Sequence, residues 1–541
     1  MTPSTHFTAG NTPDAPRSDL PSQLDSLAKD LRGIGYTVDG VAGLLGPAAH
    51  SALSRDQLIP ALIITETARH GEPTTAALAA VVRLWLLAEP QPAATLDAAL
   101  PGVRTQGLLE LGLVEPSADG LVQAKVDLRP YGWEKNDDGS GGAELWVASD
   151  LAAHQRPGVL RHDHVLGIGQ ASTTLVQVTA RRHAARALDL GTGCGIQTFH
   201  LLHHAEHVTA TDISDRALAF TRFNLMLNAG QLHLDPADLD TRVSLRSGSL
   251  LDPVAGEEFE LVVSNPPFVI TPRSPGEAAA DQFTYRDGGL PGDDIVAALV
   301  RALPSVLTPG GTAQLLGNWE IPAGADWAER PQSWASPDAD AWFIQREQVS
   351  PEQYAETWLQ DASEARDRGL YQDSYAAYLD DFASRSVDAI GFGMIWLRRP
   401  AAGSTPTLRR FEEITYPIEQ PVGPHLGAAV ERADWLAGHD LAAAHLLVAE
   451  DVTEERHQRP GAEHPGVILL RQGAGLRRTN LLSTELAGFV SACDGDLSVG
   501  QIVGALEALL GGGEDWDAAT FRAGLITEVG NLVRDGFLLP A

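Results

Sequence analysis

The chain of 541 residues carries 39 basic against 71 acidic side chains, a net charge of −32 at pH 7. That balance excludes a broad electrostatic footprint for nucleic acid while leaving room for a local basic groove. A hydrophobic fraction of 44% and only two cysteines point to an ordinary globular core with neither a disulfide framework nor a thiolate metal cluster.

The length suggests about three or four domains. Met1–Ser22 is rich in Thr, Pro, Ser and Asp and lacks the basic and apolar regions of a signal peptide, so residues 1–22 are expected to be a disordered tail. There is no apolar run of about 18 residues or more, which predicts no transmembrane helix, and a cytoplasmic location is expected. Leu24–Ala98 has helical spacing of apolar residues. Ala94–Val114 reads as helix, turn and helix, and Gly120–Leu128 alternates like a strand. Helices followed by a small β-wing resemble a winged-helix module over residues 23–155, and the acidic balance favours packing or protein docking there. Asp137–Gly142 is expected to be a turn, and Glu144–Asp150 a strand leading into the next domain.

From Arg156 the pattern changes to alternating strands and helices. A helix follows His164–Leu175. Strands are expected at Ala185–Leu190, His207–Asp212, Val243–Gly248, Glu260–Ser264 and Thr312–Leu316. Helices are expected after Ile196, over Asp215–Asn228 with Ser214 or Asp215 as cap, and over Asp294–Leu307. Ala325–Ser386 reads as a mostly helical insertion, followed by two strand-like runs, Ala389–Arg398 and Leu408–Tyr416. This order predicts a doubly wound α/β domain over residues 156–421, with ligands held at the carboxyl ends of its strands. Residues 422–541 form a last, mostly helical unit that resembles small winged-helix-like domains with a Cys-Asp-Gly turn, here Cys493-Asp494-Gly495. Cys493 reads as a buried small residue, since no partnered base is identifiable.

Two segments carry the chemistry. The first strand runs into Asp189-Leu190-Gly191-Thr192-Gly193-Cys194-Gly195. Glycines at 191, 193 and 195 allow close approach of backbone to a ligand. The spacing lacks the third glycine position of the dinucleotide fingerprint and the Lys-Ser/Thr of a phosphate-binding loop. Asp189 is placed to reach an amino-acid ammonium group, and Asp212, ending the second strand, to hold two ribose hydroxyls. An amino acid joined to adenosine through sulfur, S-adenosyl-L-methionine, meets both requirements. No metal is called for.

The second segment is Ser264-Asn265-Pro266-Pro267-Phe268, at the end of the fourth strand. A planar amide or exocyclic amine has a poorly available lone pair. The Asn265 side-chain oxygen and the Pro266 carbonyl can accept both N–H bonds of such a group and raise the electron density on its nitrogen. Phe268 can stack on the planar group. The alternative is a rigid turn made by Pro266 and Pro267.

Residues from Arg156 to about Trp319 resemble class I S-adenosylmethionine-dependent methyltransferases with an Asn-Pro-Pro-aromatic motif. That group includes release-factor glutamine, ribosomal-RNA guanine-N2 and adenine-N6 methyltransferases. The resemblance implies a Rossmann-like methyltransferase domain flanked by the two smaller domains. It assigns Asn265, Pro266, Pro267 and Phe268 to the catalytic motif, and Asp189, Gly191, Thr192, Gly193, Gly195 and Asp212 to the cofactor site. Asn265 also borders the cofactor. Ser249 stands where many relatives place an acid near adenine. Tyr285-Arg286-Asp287-Gly288-Gly289 follows the tetrapeptide, where release-factor enzymes place a loop near the substrate; a plain loop is the alternative. The expected activity is N-methylation of a macromolecular acceptor: a protein glutamine or asparagine amide, or an exocyclic amine of an RNA or DNA base. The acidic balance tilts the reading toward a protein. The rival is a cofactor-binding scaffold without catalysis, which would have no need to keep the tetrapeptide.

Overall fold

The computed structural model describes residues 6–7, 12–134, 142–155, 160–272, 289–361, 368–511 and 516–541. The chain divides into two compact units. One comprises Met1–Val176, Arg182–Ser336 and Glu347–Ala402, the other Gln177–Arg181, Pro337–Arg346 and Gly403–Ala541. The N-terminal segment, expected as a separate domain, therefore shares a unit with the α/β domain.

The first unit begins with helices α1 (Pro21–Gly33), α2 (Val38–Leu53), α3 (Ile59–Ala68) and α4 (Pro73–Trp85). Three of them carry proline in the first two helical positions, where its missing N–H costs nothing. The α2 helix is broken at Gly46, which takes φ +69° immediately before Pro47. Then come β1 (Gln91–Pro92), α5 (Ala93–Ala99), α6 (Arg104–Glu110), β2 (Val114–Pro116) and β3 (Leu121–Ala124). The three strands pair antiparallel in the order β1-β3-β2, the helices-plus-wing arrangement read from the sequence. The run expected as one strand to Leu128 breaks after β3. A new strand, β4 (Asp127–Trp133), pairs with β5 (Ala143–Ser149) as an antiparallel hairpin. Of the turn expected at Asp137–Gly142, residues 137–141 lie outside the described residues.

The expected tail is described at residues 6–7 and from residue 12 onward, and these residues lie against the fold: Phe7 N–H donates to the Leu245 carbonyl at 3.0 Å. Arg17 N–H donates to the Leu111 carbonyl, the Asp14 carbonyl accepts from Arg216, and α1 already begins at Pro21. Hydrogen bonds to partners far away in sequence order this polar stretch despite its composition.

The α/β part follows as α7 (Gln170–Val178), β6 (Ala184–Leu190), α8 (Ile196–Leu201), β7 (Ala205–Asp212), α9 (Asp215–Leu227), β8 (Val243–Ser247), β9 (Phe259–Ser264), α10 (Asp294–Ala302) and β10 (Leu307–Pro322). Next come α11 (Glu329–Trp334), β11 (Asp340–Val349), α12 (Pro351–Asp361), α13 (Arg368–Ser384) and β12 (Val387–Arg398). Within the first unit the strands lie in the order β12-β10-β9-β6-β7-β8. All pairings are parallel except β12 against β10. Strand β10 starts earlier than expected and absorbs Pro309-Gly310-Gly311 as an irregularity in its pairing between Leu307 and Thr312. The stretch 325–386 is not one helical insertion. It contains β11, whose apolar run Ala341–Ile344 is buried, and the helical part proper is α11 and the α12–α13 hairpin.

The core of this unit is continuous. One cluster of buried residues runs from Leu24, Leu27 and Leu31 through Trp85, Trp146 and Phe199 to Phe220, Phe223 and Val263. Polar groups join the N-terminal segment to the sheet domain as well. Asn224 and Asn228, one turn apart on α9, are both fully buried. The Ala148 and Trp146 N–H groups of β5 donate to their side-chain oxygens, and their amide nitrogens donate back to the Ala148 and Trp146 carbonyls. Two asparagines thereby replace a neighbouring strand along one edge of β5. Arg216 at the start of α9 donates to both Asp150 carboxylate oxygens at 2.6 and 2.9 Å.

In the second unit Ala341–Gln345 of β11 pair parallel with β13 (Arg409–Glu413). The unit continues with α14 (Gly423–Gly438), β14 (His445–Val448), β15 (Val452–His457), β16 (Val467–Gln472), β17 (Thr479–Leu482), α15 (Thr484–Val490), β18 (Asp494–Ser498), α16 (Val499–Leu510), α17 (Ala518–Asp535) and β19 (Leu538–Pro540). Its helices enclose Phe489, Val503, Val529 and Phe537, and two three-stranded sheets, β18-β14-β19 and β15-β16-β17, accompany them. Ser498 and Gln501 form a capping box on α16. Cys493 is buried, and burial pushes its thiol up to about 12, so it stays protonated at neutral pH. Among the described residues no helix is long and apolar enough to cross a membrane.

Candidate active site

The two segments singled out in the sequence end neighbouring strands. Leu190 of β6 and Ser264 of β9 are register partners, and the Ser264 hydroxyl donates to the Leu190 carbonyl at 2.8 Å. The glycine loop and the tetrapeptide therefore leave the sheet side by side. A Cβ at Gly191 would stand 3.9 Å from the Asn265 carbonyl oxygen.

Gly191, Gly193 and Gly195 take φ of +77°, +59° and +96°, left-handed backbone that a side chain would strain. The Gly191 and Thr192 N–H groups both donate to the Thr211 carbonyl at 2.9 Å, folding the loop back over the end of β7. Thr221 on α9 donates to the Gly193 carbonyl at 2.8 Å, and Asn224 to the Cys194 carbonyl at 2.9 Å.

Asp189 is completely buried. Its Oδ2 accepts from the Thr192 hydroxyl at 2.7 Å, the Thr198 hydroxyl at 2.7 Å and the Thr198 N–H at 3.0 Å, the last from the first turn of α8. Its Oδ1 is buried and has no hydrogen-bond partner among the described residues. Burial pushes the carboxyl up to about 6, against the threonine hydrogen bonds, and the neighbouring Asp212 charge adds to the rise. An orphaned carboxylate oxygen in such a place is suited to a cation.

Asp212 ends β7. The Gly193 N–H donates to one of its oxygens at 3.0 Å and the Ser214 N–H to the other at 2.9 Å. Burial pushes its carboxyl above the usual carboxylate range, and these backbone donors oppose the rise. Each oxygen keeps a lone pair, so the carboxylate is oriented and can still accept two further bonds. Ser214, not Asp215, caps α9, its hydroxyl accepting from Ala217 N–H. Ser249 is exposed just past the end of β8, next to the position where Ser247 pairs with Asp212. Ile213, after Asp212, leaves its side chain 59% exposed, an apolar surface beside the carboxylate.

Asn265 is half-buried, and its Oδ1 is shielded from solvent without a partner among the described residues. Pro266 is buried, Pro267 and Phe268 half-buried. The chain then sinks into a second apolar cluster through Val269 and Ile270. Tyr285–Gly288 lie outside the described residues. All the other residues expected at the site gather at the carboxyl ends of β6, β7, β8 and β9.

The sequence did not point to Thr198, Thr221 or Asn224, of which only the asparagine left a signal. Asn224 and Asn228 are polar residues one turn apart on an otherwise apolar helix face, which announces a buried hydrogen-bonding role.

Residues 150–284 match the family described as "Methyltransferase small domain". Residues 33–125 match a "Domain of unknown function (DUF7059)". The chain is 33% identical over 159 residues to a ribosomal protein uL3 glutamine methyltransferase of Bradyrhizobium diazoefficiens, covering 28% of this chain and 46% of that protein. It is 32% identical over 165 residues to a release factor glutamine methyltransferase of Geobacter sulfurreducens, covering 29% and 51%. A ribosomal RNA small subunit methyltransferase C of Alcanivorax borkumensis is 27% identical over 192 residues, covering 35% and 49%. The chain thus spans about half the length of the curated relatives it matches, and the matched part is the α/β domain with the site described above. That domain matches the methyltransferase small domain family and is similar to proteins named as glutamine and ribosomal-RNA methyltransferases.

Proposed function

We propose that this protein is an S-adenosylmethionine-dependent N-methyltransferase acting on a planar amide or exocyclic amine of a macromolecule. The observation that carries the proposal is the Asn265 side-chain oxygen, buried and without a partner among the described residues, at the end of β9 beside the glycine loop. A buried polar atom left unmatched costs stability and persists where a ligand completes it.

The residues fit the cofactor on two observations of this structure: the orphaned Asp189 Oδ1, suited to an ammonium group, and the oriented Asp212 carboxylate, suited to a ribose diol. Gly191, Gly193 and Gly195 keep the floor of the site free of side chains, and Ile213 offers an apolar surface for a base. When bound, S-adenosylmethionine supplies a methyl group made electrophilic by its sulfonium. Asn265 Oδ1 and the Pro266 carbonyl would accept the acceptor's two N–H bonds and aim its lone pair. Phe268 would stack on the planar group, and position and electrostatics would supply the acceleration. The curated relatives named for glutamine methylation support a protein amide; the one named for ribosomal RNA supports a base amine as the second reading. The surplus of acidic residues favours the protein.

The test is incubation with methyl-labelled cofactor and separately purified ribosomal protein, release factors, ribosomal RNA, transfer RNA and DNA. Label is expected in protein, as N-methylglutamine or N-methylasparagine after digestion. Label only in nucleic acid would move the acceptor to a base. No label in any fraction, with cofactor bound, would leave the scaffold.

A further inference from the structure

The tetrapeptide's far side is held by a residue more than 80 positions away. The Ile270 backbone N–H, two residues past Phe268, donates to the Tyr354 hydroxyl at 2.7 Å, with a separation of 84 residues. The same hydroxyl accepts from the Asn318 amide at 3.1 Å, and Asn318 is completely buried. Asn318 lies on β10 three residues beyond Leu315, the register partner of Ser264, and so stands beside the tetrapeptide rather than beside the strand before it. Its Oδ1 is a further buried oxygen with no partner among the described residues.

Tyr354 itself belongs to α12, the first helix of the hairpin between β11 and β12. Its ring is fixed by aromatic neighbours. Phe392 stacks on it at 5.7 Å, Phe382 meets it edge-on at 5.4 Å, and Trp358 and Tyr378 lie at 6.0 and 6.3 Å. The side chain is 1% exposed. A ring held on several sides has one place to put its hydroxyl, so the hydroxyl works as a fixed point rather than a mobile acceptor. Thus the insertion delivers one polar atom to the exit of the tetrapeptide.

We propose that Tyr354 is a positioning residue for methyl transfer: its hydroxyl fixes the backbone after Phe268 together with Asn318, and so sets where Asn265 and the Pro266 carbonyl hold the acceptor nitrogen. The inference rests on the reading of the tetrapeptide as the acceptor site. Among the described residues the Tyr354 hydroxyl bonds Ile270 and Asn318 and neither the glycine loop nor Asp212, so its role lies on the acceptor side.

Tyr354→Phe keeps the ring and removes only the hydroxyl. In the full-length chain, hydrogen–deuterium exchange of peptides covering 264–272 should speed up about tenfold, with peptides covering 187–214 unchanged. Cofactor affinity, measured by calorimetry, should stay within about twofold, and methyl transfer at saturating cofactor and acceptor should fall roughly tenfold. In an Asn265→Ala background the same substitution should have less than about a twofold further effect, because both act on one device. Asn318→Ala, which removes one of the two donors, should give a smaller change in the same peptides and serves if the tyrosine variant does not fold. Tyr375→Phe, which removes a hydroxyl bonded to Glu356 on the same hairpin, should change nothing. Unchanged exchange over 264–272, or acceleration spread evenly over the chain, overturns the proposal, as does full additivity with Asn265→Ala. If the wild-type protein labels no acceptor, the proposed function fails, while the exchange data still decide whether Tyr354 anchors the segment.

Discussion

The glycine loop and the tetrapeptide end adjacent strands but are held in opposite ways. Apart from the Ser264 bond to the Leu190 carbonyl, the hydrogen bonds named on the loop come from within about thirty residues of it: Thr192 and Thr198 on Asp189, Gly193 on Asp212, Thr221 and Asn224 on the loop carbonyls. The tetrapeptide is tied by Ser264 to Leu190 on one side and by Tyr354 to Ile270 on the other, 74 and 84 residues away. On the proposed function, the loop serves a constant ligand and can be encoded by a short stretch of chain, whereas the tetrapeptide serves an acceptor and draws on distant elements that can change with the substrate.

The largest effect should come from breaking the loop's apparent self-sufficiency. Asn224 bonds both the Cys194 carbonyl and β5, so the N-terminal segment reaches the loop through one side chain. A chain beginning at residue 150 would leave the buried amides of Asn224 and Asn228 without β5 and strip the core of Leu27, Leu31, Trp85 and Trp146. Each unpaired buried group costs roughly 1–3 kcal/mol, against a total stability of roughly 5–15 kcal/mol. The expected outcome is loss of cooperative folding by urea denaturation, whereas a chain retaining residues 12–149 folds.

On the acceptor side, Asn265→Ala should lower single-turnover methyl transfer by roughly 100-fold or more, the effect of removing one preorganised polar group. Cofactor affinity should hardly move, because no group on Asp189 or Asp212 is touched. A wild-type rate would return the tetrapeptide to a structural turn.

Asp212→Ala reverses the pattern. It should weaken cofactor binding by roughly 1–3 kcal/mol, the cost of charged hydrogen bonds unmade, and leave transfer at saturating cofactor nearly intact. Calorimetry on folded protein decides it.

The smallest effect is a pH dependence confined to the loop. Asp189 sits at about 6 in the folded chain against an ordinary value of 3.8. The folded state therefore binds its proton more tightly than the unfolded state, and this group's contribution to stability declines as pH rises from about 4 through 6. An ammonium ligand needs the carboxylate, so cofactor affinity should rise by up to about tenfold per pH unit below 6 and level off above it. Asp189→Asn should bind more weakly at pH 7 and show a flat profile over that range. A sloping profile in the variant would assign the titration to another group, Asp212 first.

The sequence by itself determined the parts whose physics is local. Glycines at alternate positions after an apolar strand, acids at two strand ends, and an asparagine before two prolines each specify a backbone conformation or a charge within a few residues. From those, the α/β order, the glycine loop and the tetrapeptide at a strand end were legible, and the strands came in the expected sequence from β6 to β10. Only the tertiary structure decided that Asp14 and Arg17 lie against the fold, that β11 is a strand within a helical stretch, and that the N-terminal segment shares one core with the methyltransferase domain. It alone decided that Tyr354 meets Ile270 and that the Asn265 oxygen has no partner among the described residues. Those outcomes depend on hydrogen bonds and packing between residues tens to hundreds of positions apart, and neither periodicity nor spacing along the chain carries information about which distant surfaces will meet.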